Sequence, residues 1–493
     1  MRFLLSLRAF YFFRFFRSSC LFPILLFVSI LSPASYAVAQ EPPRVVTEAL
    51  KRAGIARDSV GIYVQEATPK GKLLVASNSN TGFNPASVMK LITTDAALEL
   101  LGPTFRWKTQ AYADGTQNGD VLNGDLIFKG GGDPKLVMEN FWLFLRQIRA
   151  HGVRDIRGNV VLDRSMFAPA FYDAAEFDGD PGKPYNVGPD ALLLNYKTLA
   201  IRFMPDTVSG TVHVTLDPPL ADFPIHAPAL GAMACDGEQW KNQVQEAVDE
   251  KSANFKGVFP AACGEKVWYL NPYRMTGNEY FAGVFRQMWR DLGGTFDGKV
   301  VAGTVPPTAR QIAEWQSASL PEVIRDINKF SNNVMARQVL LTLAAAVDGP
   351  ETGTPADITA GGRVIQEWIA GKGIAAPELV VDNGAGLSRI GRVAPATLGR
   401  VLLSAFQSPT MPELISSLPL VGYDGTMRKR LKDQDVAGQA HIKTGTLSGV
   451  RTIAGYVLAS SGKYYVVVFM INSPKAINGQ VAQDALLEWV YEH

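Results

Sequence analysis

The chain is poor in the residues that most often carry chemistry. Its 493 residues include only 3 cysteines and 5 histidines. Cys20 lies in an N-terminal leader, so the cysteines left cannot supply a four-thiolate zinc site. The histidines show no metal-ligand spacing, and His441, two residues before Lys443 on a strand-like run, reads as structural rather than as a triad member. Strong charge of either sign is also missing. The formal charge is +2, and the leader carries Arg2, Arg8, Arg14 and Arg17 with no acidic residue, so removing it leaves −2. That balance excludes a basic nucleic-acid footprint. Beyond the leader there is no repeat of solenoid period and no low-complexity stretch.

The leader is informative. Its arginines precede an apolar run from Leu21 to Leu31, and Ala37-Val38-Ala39 offers small residues at a cleavage position. Residues 1–39 therefore read as an export signal. An uncleaved anchor is the alternative, although the apolar run is short for a membrane span, which needs ~20 such residues. Export to the periplasm is the expected fate, with no stable membrane span in the mature chain. Cys235 and Cys263 are then the only cysteine pair. A disulfide suits an exported protein and would contribute about 3–4 kcal/mol in the chain-entropy model, the alternative being two free buried thiols.

A chain this long exceeds one compact core of ordinary size, so two or three domains are expected. Residues 46–55 read as a helix, and strand-like runs at 59–65 and 72–77 flank a turn at Thr68-Pro69-Lys70-Gly71. Near the other end, 452–459 and 464–471 flank a second turn and 481–491 closes with a helical pattern. Both ends are expected to build one antiparallel sheet with helices packed on it, an α+β arrangement. Between Lys90 and Ser331 lie 240 residues, too many for a loop in a compact domain. Short strand-like pieces with Gly, Asn and Asp turns fill 104–303, around an amphipathic helix near 138–151. The expected organisation is a catalytic domain from 40–103 and 304–493, interrupted by a β-rich insertion over 104–303 that forms one or two subdomains.

Three short elements stand out in this frame. In the first, Asn84 is placed to cap a helix with Pro85 at its first position, which puts Ser87 in the first turn. Lys90, three residues on, shares its face. The helix N-terminus favours negative charge developing at Ser87. Lys90 is the only cation between Ser87 and Leu101, in a stretch rich in Val, Leu, Ile and Ala. Burial there would lower its pKa and let a neutral amine take the serine proton. The same spacing recurs at Ser460-Ser461-Gly462-Lys463, but on a hairpin turn, where it reads as solvated surface.

The second element, Ser331-Asn332-Asn333, sits between two helical stretches. A hydroxyl and an amide there could relay a proton and hold a substrate amide, with helix capping as the alternative. Tyr269-Leu270-Asn271 is a lower-ranked rival, being followed by Pro272 inside the insertion. The third, Lys443-Thr444-Gly445-Thr446, lies on a strand-like run from 439 to 446. Gly445 leaves that strand open to a substrate backbone, and the lysine supplies charge for a carboxylate.

The order Ser-x-x-Lys, Ser-x-Asn, Lys-Thr-Gly resembles the penicillin-binding proteins and class A β-lactamases. With the long insertion, the chain is similar to the low-molecular-mass class C D-alanyl-D-alanine carboxypeptidase/endopeptidases, the penicillin-binding protein 4 type. Matching phrases are Gly124-Asp125-Leu126 through Gly130-Gly131-Gly132-Asp133-Pro134, Pro189 to Asn195, Gly384 to Arg389 and Gly422 to Thr426. The resemblance implies a transpeptidase-like fold, with Ser87 acylated and Lys90 as its base. It implies that Ser331 and Asn333 assist proton transfer and binding, that Lys443 and Thr444 hold a terminal carboxylate, and that the amides of Ser87 and Thr446 form an oxyanion hole beside Gly445. Asp163 and Arg389 match positions near the peptide side chain. Asn332 stands where Asp is usual, and Ala385 where Ser is usual. The implied activity is serine carboxypeptidase, with endopeptidase action, on peptidoglycan stem peptides; β-lactams would acylate Ser87, and no metal or organic cofactor is called for. A β-lactamase or esterase on the same site, or a cell-wall-binding scaffold without turnover, are the alternatives.

Overall fold

The computed structural model describes residues 41–347 and 354–493. The leader, with Cys20 and the expected cleavage position, lies outside them. No helix among the described residues is long and apolar enough to cross a membrane.

The two chain ends meet in one antiparallel sheet. Helix α1 (Arg44–Ala53) places Val46, Ala49 and Leu50 inward at helical spacing and stops at Gly54, whose left-handed backbone (φ 67°) turns its N–H back onto Leu50 and Lys51. Strands β1 (Val60–Glu66) and β2 (Leu73–Ser77) form the first hairpin, and helix α2 (Met89–Leu101) follows. Later come helices α3 (Leu320–Phe330) and α4 (Asn333–Val347), strands β3 (Ala440–Leu447), β4 (Val450–Leu458) and β5 (Tyr464–Asn472), and helix α5 (Gln480–Tyr491). The sheet order is β3-β4-β5-β1-β2, which leaves β3 at an edge. The β-branched run Val466-Val467-Val468 is buried on both faces because helices cover both sides of the centre. On one side lie α2, α3 and α4, and on the other α1 and α5. Helix α2 is buried nearly all round, which accounts for its continuous apolar composition.

Residues from Ala111 to Ala313 build a hydrophobic core of their own, in which Phe128 packs edge to face on Phe285, and Phe141 on Phe281. The amphipathic helix of this region runs Met138–Ala150. Strand Arg310–Gln316 pairs antiparallel with Lys108–Asn118, so the chain leaves and re-enters this region along neighbouring strands. Cys235 and Cys263 are joined as a disulfide within it.

One local expectation needs correction. Pro85 does not open a regular helix: Ala86–Val88 form a single tight turn, with Ala86 left-handed (φ 47°), and α2 begins only at Met89. The reason is tertiary. Thr452 donates to the Pro85 carbonyl at 2.7 Å, and Asn84 is held by Asn472 at 2.7 Å, so the approach to Ser87 is pinned by β4 and β5. Asn84 still caps locally, its side-chain oxygen accepting the Ala86 N–H at 2.9 Å.

Candidate active site

The turn before α2 aims Ser87 toward the first residue of α4 and the edge of β3. Lys90, fully buried one turn on, reaches Ser87 Oγ at 2.9 Å. Its Nζ also lies 2.6 Å from Asn333 Oδ1 and 2.6 Å from the Ala385 carbonyl. Burial, then the nearby charges of Lys443 and Arg337, hold the Lys90 pKa well below its ordinary value. A neutral amine has two N–H donors and one lone pair. The two carbonyl oxygens occupy the donors, which leaves the lone pair directed at the serine hydroxyl.

Ser331 and Asn333 reach the site because α3 ends abruptly. Ser331 is its C-terminal cap in a left-handed conformation (φ 58°, ψ 38°), a strain of about 1–2 kcal/mol for a residue with a Cβ. Asn332 takes the capping role, accepting the Met335 N–H at 3.0 Å, which frees Asn333 to face Lys90. Ala385 contributes only its carbonyl, so the methyl in place of a hydroxyl leaves this contact intact.

Lys443 Nζ donates to Ser331 Oγ at 2.9 Å and to the Thr444 carbonyl at 2.7 Å. It is fully buried, and burial lowers its pKa to about 7. Thr444 turns the other way, its hydroxyl 2.7 Å from that of Thr426. The outer side of β3 is closed by residues 419–421 as far as Ile442, whose N–H bonds to the Pro419 carbonyl at 2.8 Å. With a period of two, the N–H groups of Thr444 and Thr446 point out from the same edge. Gly445 is required by closeness: a Cβ there would stand 2.8 Å from the Ser87 nitrogen and 2.3 Å from Thr452 Oγ1. The amides of Ser87 and Thr446 can thus face one small region of space, as two donors to a developing oxyanion must.

A cleft of about 760 Å³ opens over Ser87, Ser331, Asn333 and Thr446. Arg389 lines it, its guanidinium 4.5 Å from the centre of the Phe177 ring. Asp163 does not line it. That carboxylate is buried and accepts the N–H groups of Ser165 and Val305, each at 2.9 Å, so it fastens two loop segments of the 111–313 region. The acid that does line the cleft is Asp178. Although burial works the other way, hydrogen bonds from Tyr185 and Asn186 keep its pKa below the usual value. Sequence reasoning missed Asp178, Phe177, Tyr185 and Tyr196, because they come from loop and turn segments of the insertion whose return to the cleft no periodicity announces. His441 is outside the cleft lining, and Asn271 is turned away from it, donating to the Pro181 carbonyl at 2.8 Å. Among the described residues no cluster of side chains could hold a metal ion.

Comparison with known proteins agrees with this frame. The model of the D-Ala-D-Ala carboxypeptidase 3 (S13) family matches residues 44–492. The D-alanyl-D-alanine carboxypeptidase DacB of Haemophilus influenzae is 27% identical over 414 residues, covering 83% of this chain and 85% of that protein. A carboxypeptidase of Mycobacterium tuberculosis is 31% identical over 425 residues, covering 82% of this chain and 74% of that protein. In fold, the crystal structure of penicillin binding protein 4 from Haemophilus influenzae superposes with a TM-score of 0.74 at 22% identity, covering 91% of this chain and 99% of that one.

Proposed function

Because the chain belongs to the D-Ala-D-Ala carboxypeptidase 3 (S13) family, we propose that Ser87 is the acylated nucleophile of a serine D-Ala-D-Ala carboxypeptidase acting on peptidoglycan stem peptides. The observation that carries this reading is the Lys90 amine, 2.9 Å from Ser87 Oγ, with its two other contacts both to carbonyl oxygens. Ser87 Oγ attacks the carbonyl carbon preceding the terminal D-alanine while its proton passes to Lys90 Nζ. The amides of Ser87 and Thr446 stabilise the oxyanion. As the C–N bond breaks, the departing amine takes a proton through Ser331, whose hydroxyl is fed by Lys443 at 2.9 Å. Water then attacks the ester and the proton it loses restores the Ser87 hydroxyl, while Lys90 releases to solvent the proton it took and Lys443 regains one, which resets both amines for the next turnover. The same steps on a cross-linked peptide constitute endopeptidase cleavage, and a β-lactam presents an amide that acylates Ser87 in the same way.

The insertion serves this reading as a wall of the cleft, supplying Phe177, Asp178 and Tyr185. We assign 40–103 and 304–493 to the catalytic domain, with the C-terminal limit of the insertion nearer residue 316 than 303, since Arg310–Gln316 packs with the inserted core. Arg389 is assigned to substrate side-chain contact. The leader fits work in the periplasm.

The test is to incubate the mature protein with a fluorescent penicillin, map the label by peptide mass spectrometry beside Ser87→Ala, and follow D-alanine release from a stem peptide. A lasting adduct on Ser87 together with D-alanine release supports the reading. Rapid loss of label points to a β-lactamase, and folded protein that takes no label points to a scaffold.

A further inference from the structure

Helix α4 carries one charged side chain, and the mechanism above leaves it unused. Arg337 lies one turn beyond Asn333 on the same face of the helix and is 4% exposed. Its Nη1 donates to two carbonyls of the insertion, Val187 at 2.8 Å and Tyr185 at 3.2 Å. The guanidinium also lies 5.3 Å from the centre of the Tyr172 ring. No carboxylate pairs with it among the described residues, and its buried Nε has no partner there. Asp382 acts on the charge only from beyond ion-pair reach.

A guanidinium keeps its proton throughout the working pH range. Burying it on neutral acceptors alone costs stability, so packing by itself does not account for an arginine here. Its place puts the charge within reach of the base. After burial, the charges that lower the Lys90 pKa are those of Lys443 on β3 and Arg337 on α4. Lys443 loses its proton near a pKa of about 7, so Arg337 supplies the part of this field that does not titrate. The carbonyls that hold Arg337 belong to a wall of the Ser87 cleft. Tyr185 lines that cleft, and Tyr185 and Asn186 each donate at 2.8 Å to Asp178 of the same lining.

We propose that Arg337 is a positioning residue through which the insertion acts on the base: the 185–187 segment fixes a permanent positive charge near the Lys90 amine, and the same contact sets the place of the Tyr185 and Asp178 wall. This role rests on the acyl-transfer reading of Ser87. With the charge in place, the amine gives up its proton more readily and is neutral over a wider range of pH. Without it, Lys90 holds its proton to higher pH, and the acid limb of acylation moves up with it. The wall, released from α4, then meets a peptide less well.

The experiment follows acylation by a chromogenic cephalosporin from about pH 4 to 9, and the KM of a peptide ending in D-Ala-D-Ala, in the unaltered enzyme, Arg337→Gln and Arg337→Met. Methionine buries no polar group, so its variant guards against a folding defect in the other. Expected is an acid limb displaced to higher pH, with rates on it about tenfold lower, as loss of a neighbouring like charge predicts. The alkaline limb should stay in place, because burial alone lowers the Lys443 pKa. The KM should rise by about two- to tenfold, the loss of one net hydrogen bond. An acid limb that stays put, or two limbs that move together as water entering the site would cause, overturns the role of the charge. An unaltered KM overturns the hold on the wall. Failure of both variants to fold would make Arg337 a structural pin and overturn the proposal. An unaltered enzyme that takes no acyl group overturns the hydrolase reading and this role with it.

Discussion

The side-chain oxygen of Asn333 lies 2.6 Å from Lys90 Nζ although 243 residues separate the two in sequence. That contact, with the Ala385 carbonyl, orients the amine so that its lone pair meets Ser87. Lys90→Met fills the same buried volume without a base. Acylation by penicillin should then fall by about 10²–10⁴, the usual contribution of a positioned base, while the circular dichroism spectrum is kept. Asn333→Ala, which loosens the amine without removing it, should fall less. A loss under tenfold in Lys90→Met would move the base elsewhere.

The two lysines also set a pH dependence. The reactive form has Lys90 neutral and Lys443 protonated to donate toward Ser331. Burial lowers the Lys443 pKa to about 7, so raising the pH through that value removes the donor. The acylation rate should decline on the alkaline side with an apparent pKa near 7, a property of the coupled pair rather than of either group. A stopped-flow series with a chromogenic cephalosporin from about pH 5 to 9 checks this. A rate still climbing at the alkaline end would leave Lys443 without a proton-donating role.

Much of this site was legible because each element has a local signature. The burial of Lys90 follows from its apolar neighbours, the junction at Ser331 from the helical patterns on either side, and the edge glycine from the Lys-Thr-Gly run. What local pattern could not reveal was set by tertiary contacts. The left-handed turn at Ala86 depends on Thr452, which lies 367 residues beyond its partner Pro85, and on Asn472, which lies 388 beyond its partner Asn84. The anchoring of Asp163 could not be read either, because an acidic side chain alone does not declare that both of its oxygens face backbone N–H groups. Asp178 was missed because it lies on a loop of the insertion whose return to the cleft depends on folding of the 111–313 core.

Gly445 offers a steric test of the oxyanion hole. A Cβ there would sit 2.8 Å from the Ser87 nitrogen and 3.0 Å from the Ala86 Cβ, neither of which can swing aside. Gly445→Ala should push β3 from the nucleophile turn and lower acylation by about 10²–10³, the loss typical of one missing oxyanion donor. A variant that acylates at the normal rate would show that the strand edge takes no part in the chemistry.

Asp95 gives a prediction about stability. It lies on α2 at 1% exposure, and neither carboxylate oxygen has a partner among the described residues. Burial first, and then the charge of Glu99, push its pKa well above the ordinary value, against a smaller pull from Lys372. Glu99 itself is held by Trp368 at 2.9 Å and Lys372 at 2.8 Å. The folded state therefore holds a proton that the unfolded chain releases near pH 3.9. The stability contributed by that proton is complete below this value and is lost as pH rises through the folded pKa. Asp95→Asn keeps the shape and removes the ionisation. In urea unfolding the variant should gain on the parent as pH increases from about 4, by at most about 1.4 kcal/mol per pH unit. Parallel stability curves for the two proteins would mean that Asp95 titrates as it does in the unfolded chain, which a carboxyl buried without a partner cannot do.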